Sequence, residues 1–362
     1  MKKTIILYCV CCIAALYLTA CKKEAQLTTA SADKTADKPA PARKPKAKVI
    51  NTLNAFGWII EGGDVAATDL NGNGIPDLIY LINDAPAGPN YFRYYVGWDV
   101  SETGYPSSVT GIKQIASNSS ISEGAGIAVG DIDKNGIPDL VLLAYDAPDG
   151  PNNFVYIVGF NLNANGDPAY WSSPITVFGT NYVAQGAAAS LADIDANGTL
   201  DLLLSSYHFD VEGKFTYKIA FNLNSAGFST NIKDYGVHAG TYLGHIIQDI
   251  GTALADLNGD GKQELFIVGN DNPPGQNSFR VITATVTPTG ELEKVSGFKQ
   301  YEGLGESGQG TGVTIADFDR DGTRDILFLS VTDTPAEDYY KYYIGYSITW
   351  NPRSKTWEPF FD

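Results

Sequence analysis

Five stretches of the sequence repeat one arrangement of oxygen-bearing side chains. Counting from the first acid, positions 1, 3, 5, 6, 7 and 9 are Asp69, Asn71, Asn73, Gly74, Ile75 and Asp77 in the first copy and Asp131, Asp133, Asn135, Gly136, Ile137 and Asp139 in the second. The third holds Asp193, Asp195, Asn197, Gly198, Thr199 and Asp201, the fourth Asp256, Asn258, Asp260, Gly261, Lys262 and Glu264, and the fifth Asp317, Asp319, Asp321, Gly322, Thr323 and Asp325. Side-chain oxygens at 1, 3 and 5, a glycine at 6 for a sharp turn, a backbone carbonyl at 7 and a carboxylate at 9 are what a hard cation needs. Calcium takes roughly six to eight such oxygens. The pattern therefore predicts up to five calcium ions. The acids number two in the first loop, three in each of the next three and four in the last, so affinity is expected to be lowest in the first loop and highest in the fifth.

The elements that hold these loops are legible in the flanks. A helix-loop-helix site would put its bidentate Glu at position 12, but here positions 10 to 12 are Leu78 to Tyr80, Leu140 to Leu142, Leu202 to Leu204, Leu265 to Ile267 and Ile326 to Phe328. Short continuous apolar runs of this kind read as buried strands, so each loop joins two strands. The first acids are spaced by 62, 62, 63 and 61 residues, and a period that steady means an array of equal units. Each unit reads as four strands. A small-residue strand comes first (Val65 to Thr68 in the first unit), then the apolar run, then a turn (Asp84 to Pro86), an aromatic third strand (Phe92 to Trp98) and a looser fourth, such as Pro174 to Phe178. Four-stranded units around a ring make a β-propeller. The 18 positions from residue 51 to Asp69 and the 45 from Asp317 to Asp362 together make one period, which predicts five blades and an N-terminal strand near Val49 to Leu53 that completes the last one. The fold class is all-β, with one calcium loop per blade.

At the N-terminus Lys2 and Lys3 precede an apolar run from Ile5 to Leu18 that ends at Cys21. The run is too short to span a membrane and reads as a secretory signal, with Cys21 as the lipid-attachment site of a bacterial lipoprotein. The expected organisation is a signal at 1–20, a disordered Lys/Ala/Pro tether at 21–47 and the propeller at 48–362. All four cysteines (Cys9, Cys11, Cys12 and Cys21) fall at or before the lipid site, so no disulfide supports the body. Residues 1–20 contribute +2 and residues 21–48 contribute +5; from a whole-chain net charge of −16, residues 49–362 are left at −23. So acidic a body excludes nucleic acid as a partner. Lys22 rather than Asp after the lipidated cysteine points to an outer-membrane lipoprotein held to the membrane by its lipid, Lys22-Lys23-Glu24 resembles surface-export tethers and points to outward display, and the body is expected to be a monomer.

The loops resemble the FG-GAP repeats of integrin alpha chains and the related VCBS repeats of bacterial surface proteins. The likeness covers all five units and includes Asp-Ala-Pro turns (Asp84 to Pro86, Asp146 to Pro148) where the family has Gly-Ala-Pro. It implies a propeller that binds calcium on one face. There are two departures: five blades in place of seven, and no Phe in the Phe-Gly pair. In its place, eight residues before each first acid, stand Glu61, Glu123, Gln185, Gln248 and Gln309, and all but Gln248 precede a glycine. If each begins an innermost strand, they form a ring at one mouth of the axial channel, a candidate ligand ring.

For catalysis the signal is thin. His208, His238 and His245 have no triad or metal-ligand spacing, and no phosphate loop is present. The expected function is a calcium-stabilised surface module that binds glycan or protein, with no catalytic residue assigned and no enzyme activity. The alternative is a glycan-active hydrolase or lyase that uses Glu61 and Glu123.

Overall fold

The computed structural model describes residues 49–360 apart from 55–59, 85–89, 117–121, 147–151, 179–183, 209–213, 244–246, 272–277, 303–307, 333–338 and 354. Signal, tether and Cys21 lie outside the described residues, as do the turns after Asp84, Asp146, Asp271 and Thr332. The described residues contain strands and no helix.

Five antiparallel sheets form five blades. Blade 1 runs from an inner strand, Ile60–Thr68, through Asp77–Asp84 and Tyr91–Trp98 to an outer strand broken into Ser108–Val109 and Lys113–Ala116. The other inner strands are Ser122–Gly130, Ala184–Ala192, Ile247–Ala255 and Gly308–Ala316. They start earlier than the small-residue runs alone suggest, and each carries a register shift near its beginning, as between Ile60 and Gly63 or Gly308 and Gly310. Each inner strand packs beside those of its two neighbours, and blade 5 packs beside blade 1, so the ring closes.

Closure follows the predicted route and adds to it. Val49–Asn54 pairs antiparallel with Tyr339–Asn351 of blade 5, from Val49 opposite Ile344 to Asn54 opposite Tyr339. The other half of that strand is covered by the chain's own end, Thr356–Phe360. Two separate segments of the chain thus share one outer position, and together they pair most of that edge, with a break at the register shift between Tyr346 and Thr349.

The core is divided by the same geometry. Among the described residues the buried apolar side chains form five clusters, one between each pair of neighbouring blades. The second strands are buried on both faces, with Leu78 to Ile82 fully inaccessible. Aromatic third-strand residues such as Tyr94, Tyr156, Tyr217 and Tyr342 are buried too: they pack between blades.

Candidate functional site

Each acidic loop is wound by its own side chains. The position-1 carboxylate turns the backbone inward: Asp69 accepts from the amides of Gly72 (2.8 Å), Asn73 (3.1 Å) and Gly74 (2.7 Å), and Asp317 from those of Asp321 (2.9 Å) and Gly322 (2.8 Å). The position-6 glycines all have φ between 82° and 86°, the left-handed region that glycine enters without strain. Position 4 is left-handed too. Gly72 and Gly259 occupy it in loops 1 and 4, but Lys134, Ala196 and Arg320 hold φ of 61°, 56° and 58° in the others. The position-7 residues Ile75, Ile137, Thr199, Lys262 and Thr323 follow the glycine, and each donates its amide to the side-chain oxygen at position 5.

The position-9 acid anchors the loop to the sheet. Asp77, Asp139, Asp201, Glu264 and Asp325 are buried, and burial raises all five above the ordinary carboxylate range, Asp325 to about 6. One oxygen of each accepts from the amide at position 2. In four blades the other accepts from a residue that the sequence reading missed: Asp99 (2.7 Å), Asn161 (2.8 Å), Asn222 (2.7 Å) and Ser347 (2.7 Å). All four have φ of 49° to 59°; Asp99, Asn161 and Asn222 sit just past the third strand, and Ser347 lies within the longer third strand of blade 5. Asp or Asn in three of them, after an aromatic strand end, is the signal that could have found them.

In loops 2, 3 and 5 the carboxylates at positions 1, 3 and 9 converge, with one oxygen from each within 4.8 Å of the others. These are Asp131, Asp133 and Asp139; Asp193, Asp195 and Asp201; and Asp317, Asp319 and Asp325. Loop 1 has only two acids, with Asn71 and Asn73 as the other oxygen bearers, and the three acids of loop 4 do not form such a group. Three carboxylates held this close repel one another unless protonated or shared by a cation. Asp195 Oδ1 is buried and has no hydrogen-bond partner, which leaves an acceptor aimed at nothing the chain supplies. The donor set therefore fits a hard divalent cation, with the position-7 carbonyl as a further oxygen from the same turn.

Of the candidate Glu/Gln ring only the backbone positions are described. Glu61, Glu123, Gln185, Gln248 and Gln309 are each the second residue of an inner strand, while their side chains lie outside the described residues. One residue after Gln248 and three after Glu61 stand two buried carboxylates, Asp249 and Asp64, that the sequence reading passed over. Asp249 accepts from the amides of Ile250 (2.8 Å), Thr311 (3.1 Å), Ala187 (3.2 Å) and Gly63 (3.4 Å), and so touches blades 4, 5, 3 and 1. Asp64 accepts from Val65 (2.8 Å) and Ile127 (3.1 Å), which adds blade 2. Both are about 1% exposed, and burial raises both well above the ordinary carboxylate range. Each owes its space to glycine. The positions equivalent to Asp249 are Gly62, Gly124, Gly186 and Gly310, and those equivalent to Asp64 are Gly126, Ala188, Gly251 and Gly312. A Cβ on Gly186 would stand 2.2 Å from Asp249 Oδ1, and one on Gly312 would stand 2.8 Å from Asp64 Oδ1.

Residues 256–328, from the fourth acidic loop to the second strand of blade 5, match the family model described as FG-GAP-like repeat. This stretch is similar to an FG-GAP-like repeat. The acidic-loop pattern recurs in the other three units, outside the matched stretch. Among curated proteins none matches the chain. Similar solved structures include an Aleuria aurantia lectin N224Q mutant in complex with alpha-methyl-L-fucoside (9% identity, 84% of this chain and 96% of that one, TM-score 0.43). Others are the alpha-L-arabinofuranosidase Arb93A from Fusarium graminearum (9%, 83% and 98%, TM-score 0.46) and an endo-arabinase from Bacteroides thetaiotaomicron (10%, 85% and 98%, TM-score 0.44). These likenesses concern the path of the chain and not its chemistry. They do correct one expectation. A protein without enzyme activity was expected, yet two enzymes stand beside a lectin among the similar propellers, so the fold does not separate binding from hydrolysis.

Proposed function

We propose that the chain is a calcium-binding propeller lipoprotein, anchored through Cys21 in the outer membrane and displayed outward, that binds glycan through its loop-bearing face. The observation that carries the reading is the convergence of three carboxylates in each of loops 2, 3 and 5 within 4.8 Å. In a body of net charge −23, such clusters are stable as anions only with a cation between them. Positions 1, 3, 5 and 9 would supply side-chain oxygens and position 7 a carbonyl. Bound calcium would fix the loops as a rigid platform, and five ions would reduce the net charge to −13. A rigid, glycine-wound loop face at one end of a propeller suits recognition, because loops carry binding while the blades hold them still.

The deciding experiment is a glycan array probed with the full chain in mild detergent, in calcium and in chelator. Binding in calcium that is lost in chelator is the expected result; no binding to any saccharide in calcium overturns the reading. A second reading rests on Glu61 and Glu123 at equivalent positions in adjacent inner strands. The same saccharides assayed for hydrolysis with wild type, Glu61→Gln and Glu123→Gln test it, and turnover lost in either variant would favour it.

A further inference from the structure

The body is strongly acidic, so unspent positive charge on its loop face is informative. The loops carry four basic residues: Lys134 at position 4 of loop 2, Lys262 at position 7 of loop 4, and Arg320 and Arg324 at positions 4 and 8 of loop 5. The two lysines are engaged. Lys134 Nζ donates to Thr199 Oγ1 at 2.9 Å, in the neighbouring loop, and Lys262 Nζ lies 3.7 Å from Glu293 Oε2. Neither arginine side chain makes a hydrogen bond or ion pair with any described residue, and both are exposed. They line the same cavity, of about 610 Å³, between the loops of blades 5 and 1. Its other walls include Thr68, Pro76 and the ends of the two inner strands at Ala67 and Ala316, so it opens beside the axis on the loop face.

Two acids also border this notch, Asp69 and Asp317, and their charge has to be weighed against the arginines. Both turn inward. Asp69 accepts three backbone amides of its own loop and Asp317 accepts two, and a cation in either loop would offset them further. The guanidinium groups are the charges left facing the space. Planar donors of this kind take a carboxylate by two parallel hydrogen bonds. A cavity of this size accommodates a small ligand. Its walls hold small apolar side chains and no aromatic anchor, which suits a polar, hydroxylated ligand better than a peptide side chain that must bury apolar area.

We propose that the notch between loops 5 and 1 is a carboxylate-binding subsite, in which Arg320 and Arg324 select acidic saccharides over neutral ones. The inference rests on the reading of the chain as a glycan binder and names the class of glycan. No other loop pair offers the combination, because position 8 is Pro76, Pro138, Leu200 or Gln263 in the other four loops.

The test measures binding of trigalacturonate, 3′-sialyllactose and a hyaluronan tetrasaccharide to the full chain in calcium, each beside its carboxyl methyl ester. At least one acid should bind roughly tenfold or more tightly than its ester. That preference should collapse in Arg320→Gln and in Arg324→Gln, and fade as salt rises from about 0.05 to 0.5 M. Arg320→Lys should recover only part of it, because the charge returns without the fork. Unchanged melting in the variants separates lost recognition from lost folding. If acids and esters bind alike, or the variants keep the preference, the subsite is wrong while glycan binding stands. If neutral saccharides on the array bind and no acidic one does, the inference falls alone; if no saccharide binds at all, both readings fall.

Discussion

The Tyr342 hydroxyl donates to the carbonyl of Gly104 at 2.9 Å, across 238 positions of sequence, and thereby ties the third strand of blade 5 to the turn after the third strand of blade 1. The same bond recurs as Tyr94 to Gly166 (3.4 Å), Tyr156 to Gly227 (2.9 Å) and Tyr217 to Gly290 (3.0 Å), so four of five junctions share it. Blade 4 has Val281 at the equivalent place opposite Val268. Removal of one such hydroxyl, as in Tyr342→Phe or Tyr156→Phe, leaves a buried carbonyl short of a donor. A loss of about 1 kcal/mol is expected by urea unfolding. Unaltered midpoints in both variants would mean that the ring is closed by packing alone.

Metal removal should be visible in stability before it is visible in binding. A ligand that binds only the folded form stabilises it by roughly 2.7 kcal/mol per site at a hundredfold excess over its dissociation constant. The melting temperature should therefore fall clearly in chelator and recover with calcium, and less with magnesium, which keeps its water shell. Asp317→Asn should weaken the tightest class of site seen by calorimetry, whereas Asp69→Asn should disturb only the weakest. Melting indifferent to chelator would leave the loops as acidic turns.

Without metal, stability should depend on pH in a defined direction. Burial raises Asp325 to about 6 and lifts Asp77, Asp139, Asp201, Glu264, Asp64 and Asp249 in the same sense. A folded pKa above the unfolded value, roughly 4 for a carboxylate, means that the folded chain holds protons the unfolded chain has released. Its contribution is present below about pH 4 and is lost as pH rises through 6. In chelator, melting should be higher at pH 5 than at pH 7.5. In calcium the slope should flatten or reverse, because protons then compete with the ion at the same oxygens. A chelated protein more stable at pH 7.5 than at pH 5 would contradict the burial of these acids.

How much of this the chain announces depends on whether the signal repeats. The acidic loops, the apolar second strands and the five-blade count were legible because each recurs at about 62 residues and a single repeat is checked by four others. The left-handed residues that donate to the position-9 acids were not, since Asp99, Asn161, Asn222 and Ser347 include three residue types and what they share is a backbone conformation and a backbone hydrogen bond. The sharing of the last outer strand by Val49–Asn54 and Thr356–Phe360 was only half visible, because the tail pairs beyond a register shift between Tyr346 and Thr349. The axial acids were hidden for the opposite reason. They break the repeat, and a search for recurrence passes over what occurs once. Gln248 alone in its ring is followed by something other than glycine, and that residue is Asp249.

Asp249 also gives the sharpest mutational test of the fold. Its carboxylate accepts amides from Gly63, Ala187, Ile250 and Thr311, in four of the five blades. Asp249→Ala removes the acceptor and strands those amides where no solvent reaches. Each unsatisfied buried group costs about 1–3 kcal/mol, so a loss of at least about 3 kcal/mol is expected. Asp249→Asn keeps the shape but turns an amide NH₂ toward amide donors, and it should rescue only in part. Gly186→Ala attacks the same contact from the other side: its φ is 72° and its Cβ would stand 2.2 Å from Asp249 Oδ1. If the carboxylate is what ties the blades, Asp249→Ala and Gly186→Ala should each destabilise strongly. Their double variant should fall short of the sum, because the second change removes a contact that the first has already lost. Additive losses would show instead that the two sites act independently, and the axial carboxylate would then be filler and not a tie.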